Sequence, residues 1–303
     1  DIIKNSDPIH PLIPFLEMAG MWQYDQIENG YFSSYKTINK CLIAIKPHYE
    51  QLIKQYPNNP EYPLYLGSSY GMLSRISLAM GDYKNVIING YNALKYIREA
   101  RSIDSKLYDV YMPIGLMEYF SCKSNLYISS LGNLFGIKSN CSDALEKLEI
   151  ARFKSKYSWI ESSNILVHAY LYFENDYVKA AYVLNDLRSS FPHNPYYLFS
   201  QAELYVRTKR WDLLDSIRKN LIEETKNGSK YKNIECLTKY EYILAVEDFS
   251  NGEYIKSIEK STSVIENYTL EFDWIKGFSY LLIGKSYDML CDRERAIKNY
   301  KKS

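Results

Sequence analysis

The stretch Trp159–Pro195, WIESSNILVHAYLYFENDYVKAAYVLNDLRSSFPHNP, decides the fold. Its apolar residues recur at helical spacing on both sides of a short polar break at Asn175–Asp176. Pro192 and Pro195 close the stretch, because proline lacks a backbone donor and disfavours helix in the residue before it. The expected unit is a helix, a tight turn and a second, antiparallel helix.

The same pattern extends outward. YPNNP at 56–60 resembles FPHNP at 191–195. Tyr62–Ala79 and Asn85–Arg101 flank a Gly-Asp-Tyr turn at 81–83. Further pairs are Tyr196–Arg207 with Trp211–Glu224, Cys236–Phe249 with Tyr254–Asn267, and Trp274–Leu290 with Arg293–Lys302. Towards the N-terminus, Phe15–Asp25 reads as the second half of a helical pair and Tyr31–Tyr56 as one long amphipathic helix. Leu107–Phe120 is expected to be helical with a kink at Pro113. Ser142–Asp143 is expected to cap a helix through Phe153. No run of strand period competes. The expected organisation is an N-terminal helical segment over 1–60 and a repeat array over 61–303, with an irregular insertion at 121–140.

The residues that open the second helices give the period. Tyr177 to Trp211 is 34 residues, Trp211 to Tyr254 is 43, and Tyr254 to Arg293 is 39. A period near 34, loosened by insertions, is that of a helical-hairpin solenoid. Gly67, Gly115, Ala202, Ala245 and Gly284 fall where two helices of a pair cross, and a bulky side chain there would hold the backbones apart. Glycine costs a helix roughly 1 kcal/mol relative to alanine, so its recurrence needs a packing reason. Val167 departs from this pattern, and the turn of its unit is one residue longer.

At these positions the chain resembles the tetratricopeptide repeat family. Gly284, Tyr287, Ala296 and Tyr300 match its pattern in the last unit, Ala202, Tyr205 and Trp211 in an earlier one, and Tyr170, Ala180 and Pro192 in the central one. The resemblance covers about residues 62–303 and implies an all-α, right-handed superhelical array of about six antiparallel hairpins. The run from Gly81 to Tyr111, followed by MPIGLMEYF, is similar to a bacterial subfamily of such proteins, commonly secreted or envelope-associated and without established enzymatic activity. Its Lys-, Asn- and Ile-rich composition also resembles that of the repeat proteins building the spirochaete flagellar collar.

Composition narrows the function. Lys and Arg number 37 against 36 Asp and Glu, which excludes the basic footprint of a nucleic-acid binder. The 31 tyrosines read as helix-packing residues of an AT-rich coding sequence. Cys41, Cys122, Cys141, Cys236 and Cys291 are scattered and odd in number, which argues against a disulfide framework and a zinc site. No stretch is apolar enough over roughly 20 residues to span a bilayer. The chain begins at Asp1 and ends at Ser303 within a helical pattern, so it reads as trimmed at both ends, compatible with a removed targeting segment or anchor. A bacterial periplasmic or envelope location is expected, with the cytoplasm as the alternative.

No catalytic motif appears. His10, His48, His168 and His193 lack metal spacing, and there is no phosphate loop, dinucleotide fingerprint or nucleophile elbow. No enzyme activity, metal or cofactor is expected. If the tetratricopeptide resemblance holds, the first helix of each unit lines a concave groove. That implies Glu161, Asn164 and His168, then Tyr196, Phe199 and Glu203, then Lys239 and Tyr242, then Lys285 and Asp288 as partner-binding residues. Only Asn164 fits a carboxylate-clamp pattern, so the expected occupant is a peptide or a partner helix. The alternative is a carrier of a small lipid, glycan or peptide in the Tyr-rich groove. The insertion carries Leu126, Leu131, Leu134 and Phe135, an apolar set expected to pack on the array, plug the groove or dock to a partner or a membrane surface.

Overall fold

The computed structural model describes residues 7, 10–124, 136–137, 140–224, 230–271 and 274–303. Among them there are fourteen α-helices and no strand. They are α1 (Ile13–Asn29), α2 (Tyr31–Gln55), α3 (Glu61–Ala79), α4 (Tyr83–Ile103), α5 (Tyr111–Lys123), α6 (Cys141–Lys154) and α7 (Trp159–His168). Then follow α8 (Tyr177–Ser190), α9 (Pro195–Arg207), α10 (Trp211–Glu223), α11 (Lys230–Ser250), α12 (Tyr254–Glu266), α13 (Trp274–Met289) and α14 (Arg293–Tyr300). The all-α class expected from the periodicity is observed, and helices consecutive in the chain pack against each other. Leu126, Leu131, Leu134 and Phe135 lie outside the described residues.

The hairpin tips share one backbone solution. Gly81, Lys209, Gly252 and Cys291 all take positive φ, between 56° and 81°. At each tip that residue donates its N–H three residues back, and the next residue donates five back, as Asp82 does to Ser77 at 2.8 Å and Asp292 to Tyr287 at 2.9 Å. These paired bonds satisfy carbonyls that the helix end leaves open. Asp82, Asp176 and Asp292 then cap the following helices, each accepting a backbone N–H with its carboxylate. The cap of α6 is Asn140, accepting from Ser142 and Asp143, and not the Ser142–Asp143 pair that the sequence suggested.

Two further local features correct the sequence reading. Pro113 lies in the first turn of α5, after a 3-10 turn at Tyr108–Val110, where its missing N–H has no helical partner to lose. It therefore starts the helix instead of kinking it. The extra residue before the α8 turn is taken up by a π-helical segment, Ala169–Glu174.

The chain divides into two compact units, residues 1–26 with 32–173 and residues 27–31 with 174–303. In the first, α3 pairs with α4, α5 with α6, and α6 packs on α7. Its core gathers Leu12, Tyr49, Leu64, Leu66, Ile97 and Ile114. The Tyr49 hydroxyl donates to the Pro11 carbonyl at 2.9 Å, and burial pushes its ionisation far above the ordinary phenol range. Small residues sit at the helix crossings as expected. A Cβ on Gly67 would meet Ile97 at 2.9 Å, and one on Gly115 would meet the Ala144 carbonyl oxygen at 3.0 Å.

Cys122 and Cys141 form a disulfide across α5 and α6. The sequence reading argued against a disulfide framework and did not anticipate this single bond: the hairpin brings together two cysteines whose 19-residue separation carries no motif. Cys41, Cys236 and Cys291 remain thiols.

In the second unit α8 packs on α9, and α9 with α10, α11 with α12 and α13 with α14 form successive pairs. The first helices α9, α11 and α13 also touch one another in order. The core gathers Leu198, Ala202, Leu214, Ile217, Ile243, Val264 and Ile275.

Candidate functional site

The contact of α9, α11 and α13 assembles most of the sequence-derived groove residues of the second unit on one side. Lys239 of α11 is the centre. Its ammonium lies 2.5 Å from a Glu235 carboxylate oxygen, 5.0 Å from the centre of the Tyr196 ring and 5.2 Å from that of Phe199. An ammonium over aromatic faces is attracted by their electron-rich centres. Tyr31 donates its hydroxyl to the other Glu235 oxygen at 3.2 Å. Burial works to raise the Glu235 carboxyl, but the Lys239 charge and the two hydrogen bonds outweigh it and hold the carboxyl below its usual range.

Beside this pair, Glu203 of α9 accepts from the Arg207 guanidinium at 3.1 Å, and the guanidinium lies 5.9 Å from the Phe278 ring. Tyr242 is buried next to Glu203, and desolvation followed by that negative charge pushes its phenol well above the ordinary value. The Phe199 ring contacts Trp274, with centroids 6.0 Å apart.

This face is filled by its own side chains. Phe199 and Glu203 are each 2% exposed, Lys239 5% and Tyr242 6%. They lie together in the interior of the unit. Each charge is buried because a partner of opposite charge accompanies it, which single-residue hydrophilicity does not reveal. Tyr196 is half-buried and Lys285 exposed. Asp288 is occupied by the return helix of its own hairpin: both carboxylate oxygens lie 2.7 Å from Arg293, and one accepts from the Tyr300 hydroxyl at 2.7 Å. The Arg293 hydrogen bond, with that of Tyr300, holds the Asp288 carboxyl below its usual range.

In the first unit Glu161, Asn164 and His168 line up along α7. The start of α7 is fixed by Asp109, whose carboxylate accepts the backbone N–H groups of Lys156, Tyr157 and Ser158 at 3.0, 2.8 and 2.8 Å. Asn164 donates to the exposed Glu161 carboxylate at 3.3 Å, and its own carbonyl oxygen is buried without a hydrogen-bond partner. His168 stacks on Tyr172, with ring centroids 5.4 Å apart and planes 24° from parallel.

A surface that the repeat reasoning missed lies on α4. Its core side is Ala93, Leu94, Ile97 and Ala100. In the first turns of the same helix, before its burial begins, Tyr83 is 69% exposed, Ile87 47% and Ile88 46%, and the preceding tip adds Met80 at 64%. Tyr83 and Ile87 continue the stripe of Leu94 and Ile97 at helical spacing, and only the later half of that stripe is buried, which the sequence pattern alone does not reveal. Lys84 and Lys95 stand exposed beside the apolar residues.

Among the described residues no group of His, Cys, Asp and Glu is arranged to hold a metal ion, and no helix is long and apolar enough to cross a membrane. No protein-family model and no curated protein matches this chain.

Proposed function

We propose that the chain is a non-enzymatic protein-interaction scaffold of the tetratricopeptide kind, its hairpins continuing into a right-handed superhelical array. In this reading it serves a bacterial cell-envelope assembly, and its composition points to the flagellar-motor collar of a spirochaete. The exposed apolar face of α4 is the observation that carries the reading. Met80, Tyr83, Ile87 and Ile88, all large, apolar and exposed around the start of α4, are a liability in water unless a partner covers them. The recurrent hairpin caps support the repeat reading, since they place the same turn at four tips. Glu161, Asn164 and His168 offer a second, polar contact row on α7. The carrier reading has less support, because the first-helix face of the second unit is packed with the chain's own Phe199, Glu203, Lys239 and Tyr242.

Crosslinking with a lysine-reactive reagent in the cells that make the protein, followed by mass spectrometry, tests this. Reproducible crosslinks from Lys84 and Lys95 to one protein, lost on Ile87→Glu, are expected. If no protein crosslinks to these lysines, the scaffold reading falls.

A further inference from the structure

The α5–α6 hairpin sets Cys122 and Cys141 opposite each other by helix packing. Gly115 lies against Leu148, and Tyr119 and Ala144 share one buried cluster. Continuing that antiparallel register by one turn brings Cys122 level with Cys141, with Cα atoms 5.6 Å apart. This separation lies in the middle of the range that native disulfides adopt, so the bond closes without moving either helix. The connection it spans is long, and ordering such a connection costs chain entropy. Its far end is fixed independently, by the Asn140 cap and by the Arg98 guanidinium donating to the Gly136 carbonyl at 2.7 Å. Cys41, Cys236 and Cys291 are not disulfide-bonded, so Cys122–Cys141 is the disulfide of the described residues.

We propose that the Cys122–Cys141 disulfide is a permanent structural bond of a chain built to work in an oxidising compartment. The bond forms by thiol–disulfide exchange with a protein disulfide oxidase. Each cysteine gives up a proton, the two sulfurs together give up two electrons and join, and the oxidase disulfide is released as a dithiol. Such bonds persist in the periplasm or outside the cell and are rare where thiols are kept reduced. The inference deepens the envelope part of the reading above and is independent of partner binding.

The test uses the full-length protein from the cells that make it, acid-quenched and alkylated with N-ethylmaleimide under denaturing conditions. Three adducts before reduction and five after, with a peptide linking Cys122 to Cys141, are expected. Reductant is expected to lower the melting temperature by about 5–10 °C, and to have no further effect on a Cys122→Ser/Cys141→Ser variant. Five adducts before reduction would overturn the proposal. With partner crosslinks intact, that result leaves the scaffold reading standing; three adducts without any crosslinked partner do the reverse.

Discussion

Gly115 and Ala144 meet backbone to backbone: a Cβ built on Gly115 would lie 3.0 Å from the Ala144 carbonyl oxygen. Leu148 stands equally close, so a methyl group there displaces a helix and not a flexible side-chain end. Alanine gains about 1 kcal/mol in helix propensity, but overpacking at such a crossing costs about 1–3 kcal/mol. Gly115→Ala is therefore expected to lower the stability of the chain by about 1 kcal/mol or more. Gly71 also lies in a helix, with nothing within 4 Å of its built Cβ. Gly71→Ala is expected to leave the stability equal or higher. Thermal melts of both variants decide it; a stabilising Gly115→Ala would remove the packing explanation for the recurrent glycines.

That explanation was legible in the sequence because glycine is costly in helices and its spacing followed the hairpin period. Asn175–Asp176 and Gly81–Asp82 were equally readable as turns, since αL residues followed by a capping carboxylate leave a compositional mark. The site was less legible. Lys239 with Glu235 and Glu203 with Arg207 are paired one turn apart within single helices, but they read as solvated charges, and only the packing of α9, α11 and α13 buries Lys239 and Glu203. The Cys122–Cys141 bond was hidden for the same reason: it depends on helix register and not on spacing along the chain.

Removing the Asp109 carboxylate should loosen the entry to α7. It accepts three backbone N–H groups that no other described side chain is shown to satisfy. Hydrogen bonds to a charged acceptor are worth about 1.5–3 kcal/mol each, and losses from one group are not additive. Asp109→Ala is expected to cost about 2–4 kcal/mol, and Asp109→Asn about half of that. Denaturant unfolding measures both; a loss below about 0.5 kcal/mol for the alanine variant would show that water replaces the carboxylate.

The carboxyls of Glu235 and Asp288 are held below their usual range in the folded chain. The unfolded chain then binds more protons than the folded one as the pH falls below about 5. The stability these groups contribute is present above the unfolded carboxyl range and is lost as the pH falls through their lower folded values. Glu235→Gln is expected to flatten the acid side of the stability profile, below roughly pH 5, and to leave the slope near neutrality unchanged. A pH series of melting temperatures for the wild type and the variant reads this directly. Identical acid slopes would mean that Lys239 does not select the charged form of Glu235.

Asn164 and His168 separate binding from folding. Asn164 has a buried carbonyl oxygen without a partner, and His168 makes its described contact with Tyr172 on the same helical run. Neither belongs to the clusters that form the cores of the two units. Replacing both by alanine removes little buried apolar area, so the melting temperature is expected to change by no more than about 2 °C. If the α7 row touches a partner, the same double variant abolishes its crosslinks, whereas Ile87→Glu abolishes those that depend on α4. Wild-type crosslinking by the Asn164→Ala/His168→Ala protein would confine the partner surface to α4. Loss in both variants, each with an unchanged melting temperature, would mean that one partner must engage both helices to stay bound.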